Sequence, residues 1–181
     1  MALTIETERI DLRPWSLDGD LAAMSRVSGD PETMEFFPRT STEAETRTFM
    51  EKANESIEKN GFGFFAAERR EDGELLGFVG LSIPSFEASF CPCVEIGWRL
   101  HKDFWGQGYA TEAAKACLEY GHGFKKLEEI VSFTSIHNKR SISVMKKIGM
   151  KADPSRDFDH PSLEKDSPLA KHVFYSSRLN G

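Results

Sequence analysis

The sequence predicts an α/β (α+β) fold around one mixed sheet, and three observations predict it. Segments that alternate apolar and polar residues interleave with segments whose apolar residues stand three and four apart. Their order is strand, two helices, hairpin and strand, helix, strand, helix, strand. Glycine, proline, aspartate and asparagine stand at the joints. The 181 residues are 39% hydrophobic and include 14 Phe and 3 Trp, enough for one core without metal or disulfide support. No internal repeat, low-complexity tract or interdomain linker interrupts the chain, so a single domain is expected over residues 1–181.

Taken in order, residues 9–15 alternate and are closed by Pro14, which predicts a strand. Leu17, Leu21 and Met24 share one face of a short helix. Thr42 and Glu45 have capping-box spacing ahead of a helix that carries Phe49, Met50, Ala53 and Ile57 on one stripe and stops at Gly61. Residues 63–68 and 75–83 read as a hairpin turned at Glu71-Asp72-Gly73-Glu74. Residues 93–100 alternate, with Val94, Ile96, Trp98 and Leu100 on one face, Glu95 on the other, and a bulge expected at Gly97. A glycine-rich loop leads into a helix whose inward face holds Ala110, Ala113, Ala114, Cys117, Leu118, Gly121 and Phe124. Residues 130–134 read as a strand. Asn138 caps the next helix, which turns Ile142, Met145 and Ile148 inward and ends at Gly149. Residues 153–170, with three prolines among charges, are too long for an ordinary connector and predict a functional loop or mobile flap; residues 172–179 read as the last strand.

Composition narrows the function. A formal net charge of -6 argues against a duplex nucleic-acid partner, which needs a basic face. No apolar run is long enough to span a membrane, and residues 1–6 lack the basic and apolar regions of a signal peptide. Three Cys give no disulfide framework, and Cys91-Pro92-Cys93 is too sparse for a zinc site, so no metal is expected and a reducing cytoplasm is the simplest setting.

The chemistry centres on Trp105-Gly106-Gln107-Gly108-Tyr109-Ala110-Thr111, where a strand has just ended and a helix begins. Glycines admit close backbone approach, and a helix's first turn offers unpaired N–H groups and a positive dipole end, a combination that fits a diphosphate. Thr111 adds a hydroxyl. The third glycine of the dinucleotide fingerprint and the Gly-Lys-Ser/Thr of a P-loop are both missing. On residues alone, a tight turn ahead of a packed helix stays equally open.

Residues 100–113 resemble motif A of the GNAT acetyltransferases, whose loop reads Q/R-x-x-G-x-G/A; here Trp105 occupies the Gln/Arg place. The Trp-Gly-x-Gly-Tyr-Ala-Thr-Glu-Ala wording is similar to the branch containing the ribosomal-protein N-terminal acetyltransferases. The likeness extends to Thr7 through Arg13, to Gly77 through Leu81, and to Asn138-x-x-Ser141 through Gly149-Met150, so it covers nearly the whole chain.

The resemblance implies a mostly antiparallel central sheet flanked by helices, with strands splayed at the cofactor site. It implies transfer of the acetyl group of acetyl-CoA directly to a primary amine, either a protein N-terminus or a small molecule, by a monomer or homodimer. The backbone around Trp98, Arg99 and Leu100 would pair with the pantetheine arm and polarise the thioester carbonyl. Gly106, Gln107, Gly108, Tyr109, Ala110 and Thr111 would hold the pyrophosphate. Asn138 would reach the pantetheine, and Ser141 would protonate the leaving thiolate. Glu95 is the candidate base, with His160 and His172 as alternatives. Phe158 and His160, in the long loop, are the candidate acceptor contacts. Direct transfer leaves no nucleophilic role for Cys91, Cys93 or Cys117. A non-catalytic acyl-CoA-binding protein of the same fold is the alternative.

Overall fold

The opening alternation folds as a hairpin of β1 (Ile5–Glu6) and β2 (Ile10–Arg13). The computed structural model describes residues 3–179; Met1, Ala2, Asn180 and Gly181, included in the expected domain and N-terminal segment, lie outside the described residues. Two helices follow, α1 (Leu17–Gly29) and α2 (Glu43–Asn60). The capping box at Thr42 and Glu45 forms in both directions, and Gly61, at φ 73°, closes α2 by donating its N–H to the Ile57 carbonyl. Strands β3 (Phe64–Arg69) and β4 (Leu75–Ser82) make the hairpin turned at Gly73, and β5 (Glu95–Leu100) pairs antiparallel with β4. Then come α3 (Tyr109–Glu119), β6 (Glu129–Ser135) and α4 (Lys139–Lys147). The chain closes with β7 (Lys151–Ala152), β8 (Phe158–Asp159) and β9 (Lys171–Arg178).

All nine strands join one open sheet in the order β1-β2-β3-β4-β5-β6-β9-β7, with β8 also paired to β9. Every pairing is antiparallel except β5 with β6. Side-chain alternation divides the core between the two faces. On one face α1 and α2 bury Met24 and Met50 against Ala66, Leu75 and Phe78. On the other α3 and α4 bury Ala113, Cys117 and Met145 against Leu12, Phe65, Val79 and Ile96. Each such large side chain contributes about 1.5–3 kcal/mol by leaving water.

Four expectations differ from what the fold does. The strand expected from Cys93 begins at Glu95. The bulge expected at Gly97 falls instead between Ala67 and Glu68, while β4 and β5 keep an unbroken register. Gly97 is small for another reason: a Cβ there would stand 3.1 Å from the Phe64 ring. Phe124, placed inward by helical spacing, is 73% exposed. Residues 120–124 form a π-helical turn, and the extra residue in that turn rotates Phe124 outward to stack on Tyr120. Residues 153–170, expected as a functional loop or mobile flap, contain short secondary structure of their own. Asp159 and Phe158 pair with β9, Asp153 and His160 donate backbone N–H groups to Phe174 and Ala170, and the Asp157 carboxylate accepts from the Phe174 N–H. Only residues 161–170 run as turns.

Candidate active site

The site begins where the sheet fails to close. The parallel strands β5 and β6 share one register pair, Glu95 with Val131. There the Val131 N–H donates to the Val94 carbonyl at 2.9 Å. The next hydrogen bond across the gap, to the Ile96 carbonyl, comes from the buried Ser132 hydroxyl at 3.0 Å. Beyond it the ladder ends. The His101 N–H donates to the Leu76 carbonyl on β4. Antiparallel alternation from that bond turns the main-chain groups of Arg99, Gly97 and Glu95 toward β4, and those of Leu100, Trp98 and Ile96 toward the gap. The Leu100 carbonyl accepts from the Trp105 indole at 2.8 Å, in agreement. The Trp98 N–H and carbonyl and the Leu100 N–H therefore face an opening without a neighbouring strand.

The glycine loop lies at the mouth of that opening. Gly106 (φ 75°) and Gly108 (φ 86°) take left-handed conformations. Gly108 is the N-cap of α3 and has no side chain to spend on capping. The Glu112 N–H makes the bond to the Gly108 carbonyl, so the N–H groups of Tyr109, Ala110 and Thr111 precede the helical ladder. A Cβ at Gly106 would meet nothing within 4 Å, so the space above the loop is open. Glu112, in this first turn, would repel an anion, but its charge is already engaged. Burial works to raise its pKa, yet bonds from the Thr7 hydroxyl and from the Arg9 backbone and guanidinium prevail and hold it below the ordinary carboxylate value. Arg9 also donates to the Gln107 carbonyl at 3.0 Å, bracing the loop from the β1–β2 hairpin. These features suit a diphosphate held by backbone N–H groups.

One cavity of about 800 Å³ joins the loop, the opening and the far face of the sheet. Trp98, Leu100, Gly106, Gly108, Ala110 and Thr111 line its near end, together with Asn138 and Ser141. Asn138 caps α4 by accepting from the Ser141 N–H at 3.1 Å and donates to the Thr134 hydroxyl at 3.0 Å. On the far face stand Glu95 and Arg99 from β5, Phe133 from β6, and His160 and His172. Burial pushes the Glu95 carboxyl up to about 7. Burial lowers the pKa of both histidines, and His172 lowers that of His160 further; their rings are 5.0 Å apart. His172 Nδ1 lies 2.9 Å from the Ala170 carbonyl, which can only accept, so Nδ1 carries the proton and Nε2 is left as an acceptor.

Most of the residues anticipated for the site meet around this cavity. Gln107 and Phe158 do not line it. The Gln107 side chain donates to the Asp103 carbonyl, and its own carbonyl accepts from Arg9. Phe158 stands behind the wall, 5.4 Å from Phe133 and 4.8 Å from Phe90 between ring centres. The sequence reading assigned no place to residues 33–38, whose Thr33, Phe36 and Phe37 line the cavity. Three ion pairs hold that segment and the residues leading into it: Lys102 with Asp30, Lys102 with Glu32, and Arg140 with Glu35. Arg140 also lies 4.0 Å from the Trp105 ring centre. No local periodicity marks such a segment; its signal is long-range charge pairing, which a single sequence does not display.

The sheet opening and the helix N-terminus beside it define an acetyltransferase of the GNAT class, and the chain belongs to that family: its residues 9–151 match the acetyltransferase (GNAT) domain. Members use acetyl-CoA as the acetyl donor. An uncharacterised N-acetyltransferase, YnaD of Bacillus subtilis (strain 168), is 30% identical over 151 residues, covering 82% of this chain and 83% of that protein. A GNAT-family acetyltransferase from Bacillus anthracis superposes with a TM-score of 0.79 at 25% identity, covering 97% of this chain and 98% of that one. A ribosomal alpha-N-protein acetyltransferase solved in complex with coenzyme A shares the fold, with a TM-score of 0.78 at 12% identity and 98% coverage of each chain. Among the described residues no helix is long and apolar enough to cross a membrane.

Proposed function

We propose that this chain transfers the acetyl group of acetyl-CoA directly to a primary amine, on a small molecule or a protein N-terminus, in the cytoplasm. One observation carries the reading. A single cavity connects an uncapped helix N-terminus, unpartnered strand N–H groups and a half-buried carboxylate poised near neutrality. The wording of the glycine loop is similar to that of the branch containing the ribosomal-protein N-terminal acetyltransferases, which keeps a protein N-terminus among the acceptors.

Acetyl-CoA, when bound, supplies an acetyl group activated as a thioester. The amides of Gly106, Gly108, Tyr109, Ala110 and Thr111 would hold its pyrophosphate, with Gln107 serving through its backbone. The Trp98 N–H, already fixed by the β4–β5 ladder, would donate to the carbonyl oxygen as negative charge develops there. Glu95 would take the amine's proton, directly or through one water, as the N–C bond forms. Ser141, which lines the same cavity, would pass a proton to sulfur as the C–S bond breaks, taking one from water in the same relay. His160 and the aromatic wall that Phe158 supports would bound the acceptor. Nothing in this scheme calls for a covalent enzyme intermediate, and proximity supplies much of the rate. The test is a turnover screen of acetyl-CoA against an amine panel, monitored by release of free thiol. Thiol release that depends on the amine supports the reading. Tight coenzyme A binding with no turnover on any amine would leave a non-catalytic binder.

A further inference from the structure

Every other arginine among the described residues sits in a salt bridge with an aspartate or glutamate; Arg99 has none. Its guanidinium is held between rings instead, 4.0 Å from the centre of Phe37 and 5.2 Å from that of Phe78. Its Nε is buried and without a hydrogen-bond partner. Burial lowers its pKa to about 10, which still leaves it cationic at neutral pH. Arg99 is half-buried, and a cation partly withdrawn from water without an anion carries a cost that ring faces offset only in part. The side chain lines the same cavity as Glu95. Among the described residues no carboxylate answers this cation.

The cofactor does not supply it. The glycine loop and α3 pack against the sheet face that carries Ile96 and Leu100, whereas Arg99 shares the opposite face with Phe78 and Glu95. On that face Glu95 and Arg99 flank Gly97, whose missing side chain lets the Phe64 ring lie against the strand between them. Four residues of strand separate their Cα atoms by about 13 Å. Aromatic rings, Phe37, Phe49, Phe64 and Phe78, surround the Arg99 end.

We propose that Arg99 receives a carboxylate of the acceptor, so that the substrate class is an amine bearing a carboxylate and an apolar or aromatic body, as in an amino acid or short peptide. The inference rests on the acetyl-transfer reading above and specifies its acceptor. A planar guanidinium matches a carboxylate bidentately. The negative Glu95 rejects that group at the other end, which orients the acceptor with its carboxylate at Arg99 and its amine toward Glu95. The neighbouring rings take up the apolar body.

The test compares matched acids and amides. L-phenylalanine, L-leucine and phenylalanyl dipeptides are each assayed against their C-terminal amides by thiol release. In parallel, binding of N-acetyl-L-phenylalanine and its amide to protein saturated with coenzyme A is measured by calorimetry. Wild-type protein is expected to favour the acid by roughly tenfold or more in kcat/KM and in affinity, and Arg99→Met to bring that ratio close to one. Equal use and equal binding of acid and amide by the wild type overturns the proposal without any variant; so does a ratio that survives Arg99→Met. Acid-selective, Arg99-dependent binding with no acetylation of any amine keeps the carboxylate site and sinks the transfer reading. Acetylation of simple amines with no preference for acids does the reverse.

Discussion

Glu95→Gln separates catalysis from stability at one atom. Burial raises the Glu95 carboxyl from 4.5 to about 7 because the folded site disfavours its charge. At about 1.4 kcal/mol per pKa unit, ionising Glu95 in the folded state costs at most about 3.5 kcal/mol, a ceiling because the carboxylate opens on a cavity that water can enter. The folded pKa lies above the unfolded one, so the native state binds more protons between these values. The penalty is absent below pH 4.5, grows as pH rises toward 7 and is complete above it. The glutamine variant escapes it. Its Tm relative to wild type should therefore climb by about 2 to 10 °C between pH 4.5 and pH 8, read by differential scanning calorimetry in matched buffers. Over the same range it should lose kcat/KM by roughly 100-fold or more, together with the limb that rises near pH 7 in the wild type. The profile is taken with an acceptor whose amine has the ordinary alkylamine value of about 10, because an α-amino group at about 8 would merge with the Glu95 limb. A variant that keeps the limb near 7 would falsify the assignment of Glu95 as base. A stability difference flat with pH would show that the carboxyl is not held near neutrality by burial.

Further expectations follow from the same geometry. Gly108→Val forces a branched residue to φ 86° at the mouth of α3; calorimetry should show acetyl-CoA affinity weakened at least tenfold with the fold retained by circular dichroism, and unchanged affinity would move the diphosphate elsewhere. Ser141→Ala should lower kcat by roughly tenfold or more while changing cofactor Kd far less, and an unaltered kcat would leave Ser141 a first-turn residue of α4 and nothing else. Burial pushes the Cys93 and Cys117 thiols up to about 12, far from thiolate at neutral pH. Cys91→Ser, Cys93→Ser and Cys117→Ala combined should keep the turnover number per folded molecule, and mass spectrometry that finds acetyl on a cysteine during turnover would contradict direct transfer.

The sequence carried the fold where local rules act alone and lost it where tertiary geometry overrides them. Thr42, Glu45 and Gly61 announced both ends of α2 because capping is decided within a single turn. Phe124 was misplaced because a helical period assumes a constant pitch, and the π turn that breaks it lies where Gly121 packs closely against Ile130 and against Leu81 on β4, a contact that local spacing does not display. The site divides in the same way. The glycine loop could be read because it is one contiguous segment whose chemistry resides in its own backbone. The opening was anticipated only through the family resemblance and not from local pattern, because it is made by two strands joined through α3, and by a serine hydroxyl that takes the Ile96 carbonyl just as the ladder stops. Glu95 and Arg99 sit between these cases. Alternation put both on the face opposite Trp98, but alternation cannot tell a solvated charge from a buried one. Only the lack of a carboxylate paired with Arg99 among the described residues, set against the salt bridge made by every other described arginine, turns its position on the strand into an argument about what the cavity is built to receive.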